Sequence, residues 1–547
     1  AAFTCNSDER FWISFDHKLF IKAAATSCNS LTQILEKRMI SVFDKGLPIP
    51  CPNNFNLAAY VLSQSNELSG KTAVSILRPS GSENWTYGQL KNAVLSTAQG
   101  LLDTGLKAQD RILMRLGNTI EFPIFFLAAI AVDINPIPLS AQLTEGEVAR
   151  MVGLVGAKAV CLDPALSFPQ TSGVECITLE DLRRMQRKAP ADFRVGPPDR
   201  LAYIVFTSGT SGTAKAVMHA HRAVWARQMM IKDWYDLHQD DRLLHAGAFN
   251  WTYTLGTGLL DPWTKGATAL IPDPTIPMEH LPELMQNHDA TIFAAAPGVY
   301  RKCLSNDNFP ALPRLRHGLS AGEKLSATLH NKWKKQTKTN IYEAFGMSEC
   351  STFVSSSPQA PADRNTIGRP QAGRRVAILA QDGSHEPVEL GQTGIIAIDR
   401  SDQGLMLGYV NVDKDNTGSS WFLTGDLGKM SESGSITYLG RDDDVITAGG
   451  YRVSPLEVEA QLQSHPDIIS IAVSQVEVKQ DTWVVAAFYT AQAEIETDVL
   501  KEFAGKLLAK YKQPRVYVYR EALPTGPNGK ILRRALRLPK GLSDGET

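Results

Sequence analysis

The chain has 547 residues, 43% of them apolar and 21% charged, which is the balance of a globular enzyme and excludes a disordered or fibrous protein. With 56 Lys and Arg against 57 Asp and Glu, its formal net charge of −1 carries no field that would steer it to nucleic acid or to an acidic membrane. Seven scattered cysteines (Cys5, Cys28, Cys51, Cys161, Cys176, Cys303 and Cys350) include no C-x-x-C pair, which argues against a disulfide framework or a zinc site and for a reducing, cytoplasmic setting.

Such a length exceeds one compact core and implies a large body with a smaller second domain. Residues 1–38 show no periodicity and no basic–apolar–cleavage pattern of a signal peptide. Met39 opens "MISVFDKGLPIP" like a natural start. We expect residues 1–38 to be an added extension, or chain upstream of the true start, with little role in function.

Between residues 111 and 162 strand and helix patterns alternate: "RILMRL" (strand), "IEFPIFFLAAIAV" (buried helix), "INPIPL" (strand), "LTEGEVARMVGLVG" (amphipathic helix capped by Thr144) and "KAVCLD" (strand). The apolar run Pro123–Val132 is far short of the ~20 residues that span a bilayer, so no integral membrane segment is expected. The rhythm resumes at "LLHAGAF", "ATALIP" and "TIFAAAP" and predicts an α/β fold with layered, mostly parallel sheets flanked by helices. From "RVAIL" onward the strands are short and turn-rich, a β-rich portion of the large domain. Helix "SPLEVEAQLQSH", strands "IISIAVSQVEV" and "TWVVAAFYT" and helix "TDVLKEFAGKLLAKY" form a small α+β unit. The boundary falls at the charged turn Arg441–Asp444, giving a large domain over 39–442 and a small one over 443–547.

Five segments carry chemistry. In "YIVFTSGTSGTAKAVMHAHRAV" a buried strand runs into Thr207, Ser208, Gly209, Thr210, Ser211, Gly212, Thr213, Ala214 and Lys215, and a helix is expected next. Glycines let backbone N–H groups point into one concavity, hydroxyls add donors, and the lysine adds a mobile charge, a composition suited to a triphosphate. The G-x-x-G-x-x-K spacing differs from the common nucleotide loop G-x-x-x-x-G-K-[ST]. The bland alternative, a flexible linker, sits poorly between a buried strand and a helix.

This loop resembles the signature of the adenylate-forming superfamily, which holds acyl- and aryl-CoA ligases, adenylation domains of peptide synthetases and luciferases. Two positions depart from it: Ala214 stands where Pro is usual, and Ala216 where Gly is usual. Four further segments extend the resemblance in the family's order. Phe345-Gly346-Met347-Ser348-Glu349 is similar to the aromatic-Gly-x-Thr-Glu motif, with Ser for Thr. The resemblance implies that Phe345 packs on adenine with Gly346 beside it, that Ser348 contacts the α-phosphate, and that Glu349 holds Mg²⁺. Upstream, Ser320-Ala321-Gly322-Glu323 resembles the adenine-pocket turn, in the "GE" form of acetyl-, medium-chain and benzoate–CoA ligases. In "WFLTGDLGKM", Asp426 matches the aspartate that accepts from both ribose hydroxyls.

"YLGRDDDVITAGGYRVSPLEVE" resembles the hinge motif, which implies that Arg441 should reach the ribose or phosphates, that Asp443 is the hinge position, that Gly449 and Gly450 would let a pantetheine arm pass, and that Arg452 should face the triphosphate in one pose. In "PTGPNGKILRRAL", Lys530 matches the catalytic lysine, in a Gly-rich loop before a basic helix. Glu349, Ser348 and Lys530 are thus the catalytic candidates.

The implied reaction is that of an AMP-forming acid–thiol ligase. A carboxylic acid attacks the α-phosphorus of MgATP, and the acyl-AMP is passed to coenzyme A after the small domain rotates. Phe249-Asn250 replaces the Phe-Asp of amino-acid-activating relatives, and Trp251 and Tyr253 are candidates for the acyl pocket wall or for core. The segments "FNWTYTLG" and "SAGE" look most like benzoate–CoA ligases, so an aryl or small-to-medium acid is expected. Only 17 residues follow Lys530, so we expect no attached carrier domain and free CoA as the thiol acceptor. A stand-alone ligase loading a carrier protein, a luciferase-type oxygenase and a non-catalytic nucleotide-binding homologue are the alternatives. The last would be expected to lack Lys530, Glu349 or Asp426. A monomer or homodimer is expected.

Overall fold

The alternating patterns at 111–162 fold as read. Strand Arg111–Arg115 lies between Asn135–Pro138 and Ala159–Leu162, all parallel, with Glu175–Thr178 at the edge. Helix Glu121–Ala131 buries every residue from Phe122 onward. Helix Glu145–Val155 begins with a capping box in which Thr144 and Glu147 satisfy each other's backbone N–H groups. The computed structural model describes residues 40–538 except 47, 170–172, 208–214, 307, 364, 413–417, 443–445, 449–450, 480–481, 509 and 527–530. Residues 1–40 separate from 41–547 as their own unit, of which only Ile40 is described, so the 1–38 extension lies outside the described residues.

The largest sheet has nine strands in the order Arg369–Pro370, Ser351–Ser355, Ile341–Met347, His317–Ala321, Ile292–Ala295, Arg242–His245, Thr268–Pro272, Thr72–Arg78 and Gly81–Thr86. Its middle is parallel and both edges are antiparallel. Two of the antiparallel pairs are joined by short turns, at 79–80 and 348–350, whereas the parallel middle needs longer crossovers. A five-stranded antiparallel sheet holds Val42–Asp44, Arg375–Leu379, Gly394–Asp399, Trp421–Met430 and Ile436–Arg441. The small C-terminal portion packs helices Pro455–Leu462 and Thr497–Leu507 on strands Ser470–Lys479, Thr482–Thr490 and Val516–Tyr519 around their own apolar cluster. Among the described residues no helix is long and apolar enough to cross a membrane.

Two expectations are corrected. The phosphate-type loop is not followed by a helix: Lys215–Ala220 is a strand, antiparallel to Leu201–Thr207, with Thr207 opposite Lys215. Val217 and its neighbours alternate toward buried faces and suit a pleated strand, and a four-residue helix forms only at Ala223–Ala226. The described chain on either side of residues 208–214 is thus a pair of antiparallel strands. Likewise, the basic helix expected after Lys530 is one 3₁₀ turn, Arg533–Ala535, because Leu536 returns to extended backbone (φ −70°, ψ 121°).

A buried polar hub ties the helix 223–226 region to the edge of the large sheet. The Arg227 guanidinium donates to both carboxylate oxygens of Asp261 (2.6 and 2.8 Å), to the Tyr235 hydroxyl (3.0 Å) and to Ser351 Oγ. Tyr235 also donates to Asp261 (2.8 Å). Asp261 is 1% exposed and Arg227 7%, so neither charge could be left alone without a large desolvation cost. Asp261→Ala is expected to destabilise the protein by about 3–5 kcal/mol, read as a lower urea midpoint with an unchanged slope.

Candidate active site

Three hairpins from three sheets bring the sequence-predicted residues together. In the first, strands 201–207 and 215–220 are joined by a third strand, Gly408–Tyr409, with Tyr409 opposite Val217. Lys215 Nζ sits 5.0 Å from the Tyr409 ring centroid, a cation–π contact. The Tyr409 hydroxyl donates to Glu349 Oε1 at 2.8 Å, and the Met406 N–H donates to the Glu349 carbonyl at 2.7 Å. Burial first, and the Glu349 charge second, raise the Tyr409 phenol above its ordinary value, so it stays a donor.

The second hairpin pairs strands 341–347 and 351–355, with a register shift between Phe345 and Gly346. A Cβ on Gly346 would lie 2.2 Å from the Ser351 carbonyl oxygen, so only glycine allows this approach. Ser348, Glu349 and Cys350 make the turn. Glu349 is only 9% exposed, and Cys350 is fully buried in the apolar cluster with Phe353 and Val354, a packing role.

The third hairpin pairs strands 421–430 and 436–441, with Asp426 opposite Arg441. Asp426 is buried and accepts from the Tyr438 hydroxyl at 2.9 Å, while Arg441 Nη1 lies 3.4 Å from its other oxygen and 3.2 Å from the Thr424 carbonyl. The Phe345 ring packs on Tyr438 at 5.3 Å between centroids. Phe345 and Glu349 belong to the same tight hairpin, so it touches the Asp426 hairpin through Tyr438 and the Lys215 hairpin through Tyr409.

The adenine-type turn follows strand 317–321. Gly322 adopts φ +93°, and its missing Cβ leaves room for the Trp251 indole at 2.7 Å from the ideal Cβ position. Trp251 is half-buried and stands edge-on to Tyr253 (5.2 Å, 88°). Tyr253 is buried against Trp234 and His245, and its hydroxyl donates to the Leu319 carbonyl. Gly322, Glu323 and Tyr438 line a cavity of about 1400 Å³ whose lining also includes Leu456, Glu459, Ile531 and Arg533 of the small portion. Arg533 forks onto Glu459 at 2.7 and 2.9 Å, and its charge reaches Tyr438. The residues just after Lys530 thus face the same cavity as the adenine-type turn.

Ser208 to Ala214, Asp443, Gly449, Gly450 and Lys530 lie outside the described residues, as does the side chain of Arg452, whose backbone pairs with Thr447. Sequence reasoning missed Tyr409, Tyr438, Glu343 and Arg227. Glu343 could have been found, because it is an acid in an otherwise apolar strand, two residues before Phe345 and on the same face. It accepts from the Leu325 N–H at 2.8 Å, which pins the adenine-type turn, and burial pushes its carboxyl up to about 7. Tyr409 and Tyr438 carry no such signal, since tyrosines in short strands are ordinary.

A two-part α/β body with this constellation of a hairpin phosphate-type loop, a turn-borne glutamate and a buried aspartate defines an adenylate-forming enzyme. The chain belongs to the AMP-binding enzyme family: that family's model matches residues 62–410, and the model of the AMP-binding enzyme C-terminal domain matches 457–530. It is 28% identical over 522 residues to the benzoate–CoA ligase of Thauera aromatica, covering 89% of this chain and 97% of that protein. It is 27% identical over 531 residues to the mitochondrial acyl-coenzyme A synthetase ACSM3 of Mus musculus, covering 89% and 91%. A benzoate CoA ligase from Burkholderia xenovorans superposes with a TM-score of 0.80 at 26% identity, covering 88% of this chain and 99% of that one. The chain is accordingly an AMP-forming acid–thiol ligase that activates a carboxylic acid with ATP and transfers it to CoA.

His219 lies on strand 215–220, stacked on Tyr203 at 4.8 Å and facing the Ser348 backbone. Burial pushes it down to about 4 from 6.5, so it is neutral in the fold. The unfolded chain then takes up the extra proton as pH falls from 6.5 to about 4, and stability is lost across that window. The melting temperature is expected to fall between about pH 6.5 and about pH 4, with a shallower fall in His219→Gln. Gly346→Ala is expected to cut pyrophosphate formation at least about tenfold, because the 346–351 approach cannot survive a methyl group.

Proposed function

We propose that the acid is an aromatic or small-to-medium carboxylic acid, and that the residues named above act on one bound ATP. Adenine lies between Phe345 and the Gly322–Glu323 turn, and the ribose hydroxyls donate to Asp426, which Tyr438 and Arg441 hold in place. Thr207 and Lys215, with the loop between them and Arg452, take the triphosphate. The observation that carries this reading is that one tight hairpin touches the Asp426 hairpin through Phe345 and Tyr438 and the Lys215 hairpin through Glu349 and Tyr409.

Magnesium fits this site as a shared ion. Glu349 offers one buried carboxylate, oriented by the Tyr409 hydroxyl, and a hard cation there would complete its shell with phosphate oxygens and water. Glu349 would hold the ion, which would supply charge neutralisation beside the phosphates.

The chemistry is positional. The acid's carboxylate oxygen bonds to the α-phosphorus, the bond to the β-phosphate oxygen breaks, and pyrophosphate leaves, so no protein nucleophile is needed. Ser348 donates toward the α-phosphate, and Lys530 bridges the two anions as they approach. The small portion then turns about Asp443, Gly449 and Gly450 face the tunnel for the pantetheine arm, and the CoA sulfur attacks the acyl carbon. The acyl–phosphate C–O bond breaks, AMP leaves with the electron pair, and the thiol proton is lost to solvent. Trp251 forms the wall against which a flat acid would lie, a reading supported by its half-buried indole over Gly322 and by the aryl-activating names of two relatives.

A pyrophosphate-release screen over benzoate-type, branched and linear acids, with and without CoA, tests this. Aryl acids are expected to lead, with thioester formed only when CoA is present. A linear long-chain preference, or acyl-AMP that never passes to CoA, would contradict it. Lys530→Ala is expected to lose pyrophosphate release by about 100-fold or more while still binding ATP.

A further inference from the structure

Tyr409 was not among the residues the sequence singled out, and no role in the reaction requires a phenol beside the phosphates. Yet its two ends touch the two charged groups on which nucleotide binding depends. The hydroxyl donates to Glu349 Oε1 at 2.8 Å, and the ring face lies 5.0 Å from Lys215 Nζ. Its backbone is fixed independently of both: Gly408 and Tyr409 pair with Met218 and Val217, and the Leu407 N–H donates to the Met218 carbonyl at 2.8 Å. The same short segment supplies the Met406 N–H to the Glu349 carbonyl at 2.7 Å. The Glu349 carboxylate is therefore gripped through its side chain and its backbone by one stretch, 406–409.

We infer that Tyr409 is a positioning residue that sets the Glu349 carboxylate for the magnesium of MgATP and, through its ring, perches the Lys215 ammonium for the triphosphate. The inference rests on the roles given above to Glu349 and Lys215. A phenol suits both tasks. As a neutral donor it orients the carboxylate through one oxygen and leaves the negative charge intact for a cation, which a salt bridge would cancel. As a π-face it holds an ammonium without neutralising it, so the charge remains available to phosphate.

The two ends can be separated by substitution. Tyr409→Phe keeps the ring and the strand pairing but removes the hydrogen bond to Glu349. Tyr409→Leu removes the ring as well. Binding of ATP to the full chain would be measured by isothermal titration calorimetry, once with magnesium and once with excess EDTA, and melting curves would verify that each variant folds. Wild type is expected to bind MgATP more tightly than metal-free ATP. Tyr409→Phe is expected to lose about tenfold in MgATP affinity with metal-free ATP unchanged, and the magnesium needed for half-maximal pyrophosphate formation should rise in step. Tyr409→Leu is expected to weaken metal-free ATP as well.

If Tyr409→Phe leaves the MgATP affinity within twofold of wild type, or weakens both titrations equally, the positioning role is wrong. Glu349→Gln, titrated in parallel, separates this inference from the reading beneath it. Loss of the magnesium-dependent gain in Glu349→Gln but not in Tyr409→Phe would overturn the role of Tyr409 alone. Retention of that gain in Glu349→Gln would overturn the metal role of Glu349 and this inference with it.

Discussion

The site depends on one close approach, the contact between Gly346 and the backbone of Ser351. The 341–347 and 351–355 strands must pair tightly enough to leave no room for a Cβ, and the register slips by a residue where they do so. That slip turns the chain sharply through Ser348, Glu349 and Cys350. Phe345 is left against Tyr438 of the five-stranded sheet, and Glu349 against Tyr409 of the three-stranded one. A looser turn would keep both sheets and lose the geometry between them. The Arg227 hub supports it from beneath by binding Ser351 from the buried side.

The two buried carboxylates are treated alike. Glu349 and Asp426 each accept from a tyrosine hydroxyl, and in each case the phenol is raised by burial and the neighbouring anion, so it donates across the physiological range. Such a donor offsets part of the desolvation cost without cancelling the charge. Both carboxylates keep their negative charge, as the roles proposed for them require. Arg441 lies 3.4 Å from Asp426, opposite it on the paired strand.

The parallel middle of the large sheet and the four-stranded sheet were legible because long apolar runs, capped helices and turn residues agree there, as Thr144 with Glu147 shows. The segments that carry the resemblance could be picked out as candidates because their motifs are local strings. The strand Lys215–Ala220 was misread because a Ser/Gly/Thr loop before "AVMHAHRAV" fits a hairpin and a strand-to-helix turn equally well. Only pairing with Leu201–Thr207, a contact across the loop, decides it. Tyr409, Tyr438 and Arg227 escaped for a related reason. Their partners lie 60, 12 and 34 residues away, and no spacing within one segment announces them. Glu343 was within reach, an acid alternating with Phe345 on a buried strand.

Convergence of distant loops on one nucleotide is the claim on which the rest stands. A crystal structure of the protein grown with ATP, magnesium and a benzoate-type acid tests it most directly. The expected density puts adenine beside Phe345, ribose oxygens within hydrogen-bond distance of Asp426, and the phosphates between Thr207, Lys215 and a magnesium ion on Glu349. Nucleotide bound elsewhere, or ribose and phosphates on groups other than these, would contradict it.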